Sequence, residues 1–218
     1  MAKYSGSNWG QVRNKLGRAV GRVWNGIDVV SQYQPDVSNP NTLPQQLSRA
    51  KWRVLTKMCR YLRQAIMTSF ALHNKEAHTT PYAMFTKANF GAVSASSPSD
   101  VTVSYPALKL SVGGGVVPAG GTVDYGTTQH LKVEVPFSYP VDNQMTFDED
   151  AIYCCLYCPE LNRSIVEKGF AADTGIMVVV PSTWNGLEVY TYLWSVGGNA
   201  LNKGICSDTE YVGHGEIE

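Results

Sequence analysis

The spacing of apolar residues divides the chain into two parts. Between Pro44 and about His73 there is neither Pro nor Gly, and apolar residues recur at the 3.6-residue period of a helix. This pattern predicts a helix of roughly eight turns from Leu43 to about His73. Thr42 as N-cap, Gln45 three residues later and Pro44 in the first turn predict where it starts.

The predicted helix has two opposite faces. One is apolar or small and should meet the core: Leu47, Ala50, Val54, Leu55, Met58, Tyr61, Leu62, Ala65, Ser69 and Leu72. The other carries five cations: Arg49, Arg53, Lys57, Arg60 and Arg63. No acid lies among these cations to form an i,i+4 salt bridge. Two interpretations stay open, a solvated face and a face that binds an anionic neighbour.

After this helix the apolar segments become shorter. Pro81–Phe90 predicts a short second helix, and Gly91–Asp100 is predicted to be a small-residue linker. From residue 101, short β-branched and aromatic segments alternate with turn signals, at 101–105, 108–112, 116–117, 123–125, 130–137, 152–157, 164–170, 176–180, 188–194 and 210–212. Strands at this spacing predict an antiparallel, immunoglobulin-like β-sandwich and hence an α+β fold.

Residues 1–42 are predicted to form a basic arm, followed by a helical part at 43–100 and the sandwich at 101–218. Glycines in residues 5–27 are too frequent for a helix, and two tryptophans argue against a plain linker. We expect an extended or irregular arm that packs on another surface, with a free basic tail as the alternative. Its candidate partner-binding residues are Trp9, Arg13, Lys15, Arg18, Arg22 and Trp24.

The net charge of zero conceals a strong asymmetry. Residues 1–75 contain twelve Lys and Arg and two acids, a charge of +10, so the remaining six bases and sixteen acids give −10. Such a split predicts that the basic part meets an acidic surface, either the protein's own second part or that of a neighbouring copy. Nucleic acid is the other candidate, because cations interleaved with tryptophans can neutralise phosphates and stack on bases.

The sequence predicts no catalytic site, metal site or cofactor. Cys155 and Cys158 have the spacing of a zinc or redox pair, but in a strand they point to opposite faces, whereas Cys154 and Cys158 share one face. These cysteines are therefore expected to be small core residues. The acidic run at 148–150 could recruit a divalent cation, but it is more typical of a solvated turn. A thiol-dependent enzyme is the least favoured class of function.

The N-terminal residues lack the apolar run of a signal peptide, and no window approaches the roughly 18 apolar residues of a membrane span. We therefore expect a protein that is made in the cytoplasm and has no membrane span. Its five cysteines are expected to be reduced thiols rather than disulfides.

Several motifs resemble those of one protein family over nearly the whole chain. They are Val23-Trp24-Asn25-Gly26, Asn39-Pro40-x-Thr42-x-x-Gln45 followed by Arg49 and Trp52, Leu156-Tyr157-x-Pro159-Glu160-Leu161-Asn162, Val180-Pro181-Ser182-x-Trp184-x-Gly186, Tyr190-x-Tyr192-Leu193-Trp194 and Ser207-Asp208-x-x-Tyr211-Val212-Gly213. The family that these motifs resemble consists of proteins of similar length and unknown function, found in Bacteroidota and linked to phage-like elements. The resemblance implies the two-part architecture and supplies no catalytic residue.

Two functions are compatible with these patterns. The favoured one is a non-enzymatic structural or assembly protein, such as a component of a virion or other particle, whose arm and helix contact neighbouring subunits. Its expected partners are further copies of the chain or other particle proteins. The alternative is a nucleic-acid-associated protein that binds phosphates through the same cations.

Overall fold

A computed structural model of the protein describes residues 2–3, 14–24, 27–33, 40–71, 79–126, 132–142 and 144–218. Its helices lie in the N-terminal half, after one four-stranded antiparallel sheet and before further antiparallel sheets, so the α+β class is confirmed. The described helices are α1 (Leu43–Tyr61), α2 (Arg63–Thr68) and α3 (Pro81–Asn89). The strands are β1 (Ala2–Lys3), β2 (Asn14–Leu16), β3 (Ala19–Trp24), β4 (Ile27–Gln32), β5 (Val93–Ala95), β6 (Val101–Val103), β7 (Ala119–Gly120), β8 (Lys132–Ser138), β9 (Ala151–Cys158), β10 (Arg163–Phe170), β11 (Gly175–Val179), β12 (Glu188–Val196) and β13 (Glu210–Glu216).

The described part of the predicted arm is extended, and it forms regular β-strands. Strands β1 to β4 pair in one antiparallel sheet in the order β1-β4-β3-β2. Gly17, with φ of 58°, allows the tight turn between β2 and β3, because glycine adopts this left-handed conformation without strain. Val29 is buried within this sheet.

Helix α1 starts where the sequence predicts. The backbone N–H of Thr42 donates to Oε1 of Gln45 at 3.2 Å, which satisfies one of the donors that a helix start leaves unpaired. The predicted apolar face lies in the core, and Leu55, Leu62 and Ala65 are fully buried on it.

The helical segment is not continuous to His73 as predicted. It is interrupted at Leu62, α2 ends at Thr68, and helical backbone reappears at 70–71, while residues 72–78 lie outside the described chain. The hydroxyls of Thr68 and Ser69 both donate to the carbonyl of Ala65 at 2.9 Å. Such side-chain bonds compete with the backbone bonds of the next helical turn, which explains the second interruption.

The central sheet has the order β10-β9-β12-β13 and is covered on both faces. Alternate residues of β9 and β12 enter two separate cores, because side chains in a strand alternate between faces. Tyr157, Tyr192 and Trp194 pack against the helices. Ile152 and Leu193 pack against the second sheet, which has the order β11-β8-β7. The two antiparallel sheets are consistent with a sandwich.

The structure corrects several predicted segments. The predicted linker at 91–100 contains strand β5, which pairs with β6 of the predicted 101–105 strand in a hairpin, and segments 108–112, 116–117 and 123–125 are not strands. Side chains replace the missing ladder bonds: Lys109 N–H donates to Oδ1 of Asn89 at 2.6 Å, and Leu110 N–H donates to Oγ1 of Thr209 at 2.8 Å. Backbone groups satisfied in this way need no neighbouring strand.

Candidate functional site

The five predicted cations of the helical segment lie together on the outside of the molecule. Arg49, Arg53, Lys57, Arg60 and Arg63 are all exposed, and we call this surface the cationic face. Nη1 of Arg49 donates to Oδ1 of Asn41 at 3.1 Å. The other four make no salt bridge with any residue that the structure describes. Their charges are therefore open to another molecule.

A groove runs beside the cationic face, between α1 and α3. Its volume is about 550 Å³, and its walls are formed by Trp52, Thr56, Cys59, Arg60, Arg63, Tyr82, Ala83 and Thr86. Its rim carries cations, and aromatic, hydroxyl and aliphatic groups line its interior. The groove is therefore partly charged and partly apolar. We call it the α1–α3 groove.

Trp52 is held at the groove while it stays accessible. Its ring centroid lies 6.0 Å from that of Phe90, whose ring also lies 5.2 Å from Nζ of Lys51. The side chain of Trp52 is nevertheless 46% exposed. A fixed, half-exposed tryptophan is suited to anchoring a partner, because it loses little conformational freedom on binding.

Hydrogen bonds to the sheet fix the position of this site. The hydroxyl of Ser164 on β10 donates to the carbonyl of Tyr61 at 2.6 Å, at the end of α1. Nε2 of Gln64 on α2 donates to the carbonyl of Val166 at 3.2 Å. Arg60 and Arg63 thus project from a rigid support.

The predicted residues of the arm have different placements. Arg18 is exposed in the β2–β3 turn, and Arg22 is exposed on β3. Lys15 lies in β2, and Trp24 is the last residue of β3. Trp9 and Arg13 lie outside the described residues.

The cysteines are core residues, as predicted. All five have free, buried thiols, with Cys154 and Cys158 in one core and Cys155 in the other. Burial raises the pKa of Cys154 and Cys155 well above the ordinary thiol value. A thiol that resists deprotonation is a poor nucleophile, since the thiolate is the reactive form. The described residues contain no group of three or more His, Cys, Asp or Glu side chains placed to hold a metal.

The acidic run at 148–150 separates into two environments. Asp148 and Glu149 are exposed, whereas Asp150 is buried. The carboxylate of Asp150 accepts from Phe147 N–H at 2.9 Å and from Gly198 N–H at 2.9 Å. The buried acid therefore has a structural role, which the run alone does not indicate.

The exposed end of the β12–β13 pair carries an aromatic network that the sequence did not predict. The hydroxyl of Tyr211 lies 2.7 Å from Nδ1 of His214, and Nε2 of His214 lies 3.6 Å from Oε1 of Glu188. The Tyr190 hydroxyl donates to Oε2 of Glu188 at 3.1 Å. Burial and the Glu188 charge raise the pKa of Tyr211. A tyrosine with a raised pKa keeps its proton, so the network is suited to hydrogen bonding rather than to nucleophilic attack.

Sequence reasoning found the cationic face but missed the groove beside it. Thr56, Tyr82 and Thr86 carry no motif, and they meet only because α3 folds back onto α1. The exposed Trp52 next to Arg53 was the one local signal.

Comparison with known proteins places the chain in a family but gives no activity. No helix in the described ranges is long and apolar enough to cross a membrane. No curated protein matches the chain at a significant level. A family described as one of unknown function, DUF6266, matches residues 8–205. Because this match spans most of the 218 residues, the chain belongs to the DUF6266 family.

Proposed function

We propose that the protein is a non-enzymatic assembly protein that binds an acidic surface of a neighbouring subunit through the cationic face. One observation carries this proposal: Arg53, Lys57, Arg60 and Arg63 are exposed without a described salt bridge, although residues 76–218 contain sixteen acids. Like charges four residues apart on a helix cost ~0.2–0.5 kcal/mol per pair. An acidic partner offsets this cost.

The character of the α1–α3 groove supports a protein partner. Trp and Arg are the residues most enriched at the energetic centres of protein–protein interfaces, and the groove brings Trp52, Arg60 and Arg63 together. In this proposal Arg18 and Arg22, with the other candidate residues of the arm, provide further contacts to the partner.

The setting that we propose is a virion or other assembled particle. Support comes from the resemblance to proteins linked to phage-like elements and from the β-rich second half of the chain. An immunoglobulin-like sandwich is proposed for that half on the strand spacing. Taxonomic origin in Bacteroidota is part of the same proposal.

Size measurements on charge variants test the central interaction. The variant Arg53→Gln/Lys57→Gln/Arg60→Gln/Arg63→Gln should lose most of the salt-sensitive self-association or particle binding of the wild type, measured by sedimentation velocity. Lys132 and Lys168 are exposed cations on strands β8 and β10, so Lys132→Gln/Lys168→Gln is the control and should behave as wild type. Equal loss of association in both variants would mean that net charge drives association. It would contradict a specific role of the cationic face.

Nucleic-acid binding is the second candidate, favoured by the half-exposed ring of Trp52 next to Arg53. Stacking on an aromatic ring contributes ~1–3 kcal/mol per base, and phosphate contacts make binding strongly salt-dependent. Fluorescence anisotropy with single- and double-stranded DNA and RNA at low salt tests it. Absence of binding to all four would end this alternative.

A further inference from the structure

Two loops at one end of the central sheet display large apolar side chains to solvent. Met145 is 67% exposed and Leu201 is 77% exposed, and both line one small pocket together with the exposed Ile205. We call these three side chains the apolar knob. Single exposed apolar residues are ordinary, but a converging group of them marks an interaction surface.

Buried hydrogen bonds hold the apolar knob in place. Nδ2 of Asn202 donates to the carbonyl of Met145 at 3.1 Å and to both carboxylate oxygens of Asp150, at 2.8 and 3.0 Å. Gly198 N–H donates to Asp150 from the same loop as Leu201. One buried acid therefore ties the two loops together. A surface fixed in advance loses little entropy when it binds.

The loops that carry the knob have more acids than bases. Residues 141–150 contain four acids and no base, and Lys203 is the only charged residue of 197–206. Of these acids, Asp142, Asp148 and Glu149 are exposed. The two loops that carry the knob thus bear three exposed acids and one exposed base, Lys203.

The α1–α3 groove has the opposite character. Its volume of about 550 Å³ lies within the range of roughly 300–1,000 Å³ that holds a drug-sized ligand, so aliphatic side chains can enter it. Its cations, Arg60 and Arg63, have the charge opposite to that of the exposed acids on the knob loops. An apolar centre with a charged polar rim is the usual anatomy of a protein–protein interface.

We propose that the apolar knob of one copy docks in the α1–α3 groove of the next copy. This rests on the proposed function, because it names the acidic surface that the cationic face binds. The knob and the groove share no residue. The contact is therefore heterologous, and copies join head to tail in rings or open chains.

Two variants of the protein, each altered on only one of the two surfaces, test this arrangement when they are mixed. The knob variant Met145→Ser/Leu201→Ser and the groove variant Arg60→Glu/Arg63→Glu should each lose self-association at least tenfold in Kd, measured by sedimentation velocity at low salt. Each variant retains one intact surface, so an equimolar mixture should form heterodimers that do not grow further. Unchanged melting temperatures show that the variants fold.

A matched control removes two other apolar side chains that are more than half exposed. Met177 and Val179 on β11 are 53% and 59% exposed, so Met177→Ser/Val179→Ser should associate as the wild type does. Loss of association in this control instead of in the knob variant would place the interface on β11 and overturn the knob assignment.

The outcomes separate this inference from the proposed function. If the groove variant fails to associate while the knob variant associates normally, the knob inference is wrong and the cationic face keeps its role. If the wild type stays monomeric at low salt, the knob inference and self-association through the cationic face are both wrong. A mixture that forms particles of wild-type size would exclude a head-to-tail contact.

Discussion

At the scale of single residues, Asp150 connects two distant loops. Its carboxylate is buried, is bonded by Asn202 and Gly198, and lies 3.2 Å from the hydroxyl of Tyr139. A hydrogen bond to a charged group contributes more than one between neutral groups, about 1.5–3 kcal/mol. Removing the carboxylate also leaves its buried donors unpaired.

We therefore expect Asp150→Ala to lower the free energy of unfolding by about 3–5 kcal/mol. Urea denaturation measures the change. Asp148→Ala, two residues away at an exposed position, should change it by less than about 0.5 kcal/mol. Equal effects of the two substitutions would contradict the role assigned to Asp150.

The raised pKa values of three tyrosines predict how the free energy of unfolding changes at alkaline pH. Burial raises the pKa of Tyr125, Tyr139 and Tyr190 from the ordinary 10 to about 12. The unfolded chain, with the lower pKa, releases these protons first. Their contribution to stability is thus fully present below pH 10 and is lost as pH rises towards 12.

The expected result is a urea midpoint, measured by circular dichroism, that falls between about pH 10 and about pH 12. The hydroxyls of Tyr125 and Thr191 lie 2.6 Å apart, and Tyr125→Phe removes the ionisable group. This variant should show a shallower fall. A midpoint independent of pH in this range would contradict the assigned pKa shifts.

At the scale of elements, α1 carries two faces with different tasks. The apolar face supplies the core, so Leu55→Ala, at a fully buried position of α1, should lower the free energy of unfolding by about 2–5 kcal/mol in urea denaturation. The cationic face lowers the stability of the helix, because its like charges repel one another. Arg53 has Arg49 four residues before it and Lys57 four residues after it.

Because Arg53→Glu converts two like-charge pairs into opposite-charge pairs, the free energy of unfolding should rise by about 1 kcal/mol. Thermal and urea denaturation measure it, with Arg53→Gln expected to lie between the two. Partner binding should weaken in the same variant. Destabilisation by Arg53→Glu would mean that the arginine is engaged within its own chain.

Local signals explain which elements the sequence could predict. The start of α1 depends on Thr42, Pro44 and Gln45, which are neighbours in the chain. The opposite faces of Cys154 and Cys155 follow from strand geometry alone.

Long-range contacts explain the features that the sequence could not predict. The segment around Leu110 is irregular because Thr209, far along the chain, satisfies its N–H group. The hydroxyl oxygen of Ser69, where the helical segment is interrupted, also lies 2.5 Å from the carbonyl oxygen of Leu110. Neither contact has a local signature, and the α1–α3 groove depends on the same kind of distant packing.

At the scale of the whole molecule, three stacked layers place the cationic face on the outside of the helices. Helices cover one face of the central sheet, and the second sheet covers the other. The cations of the helix layer therefore have a fixed position from which to meet a neighbouring copy.

The size of the purified full-length protein as a function of salt tests the central claim most directly. Sedimentation velocity at about 0.05 M salt should show concentration-dependent oligomers, which dissociate at about 0.5 M because salt screens charge pairs. A protein that stays strictly monomeric at the lower salt concentration, up to high protein concentration, would contradict the account.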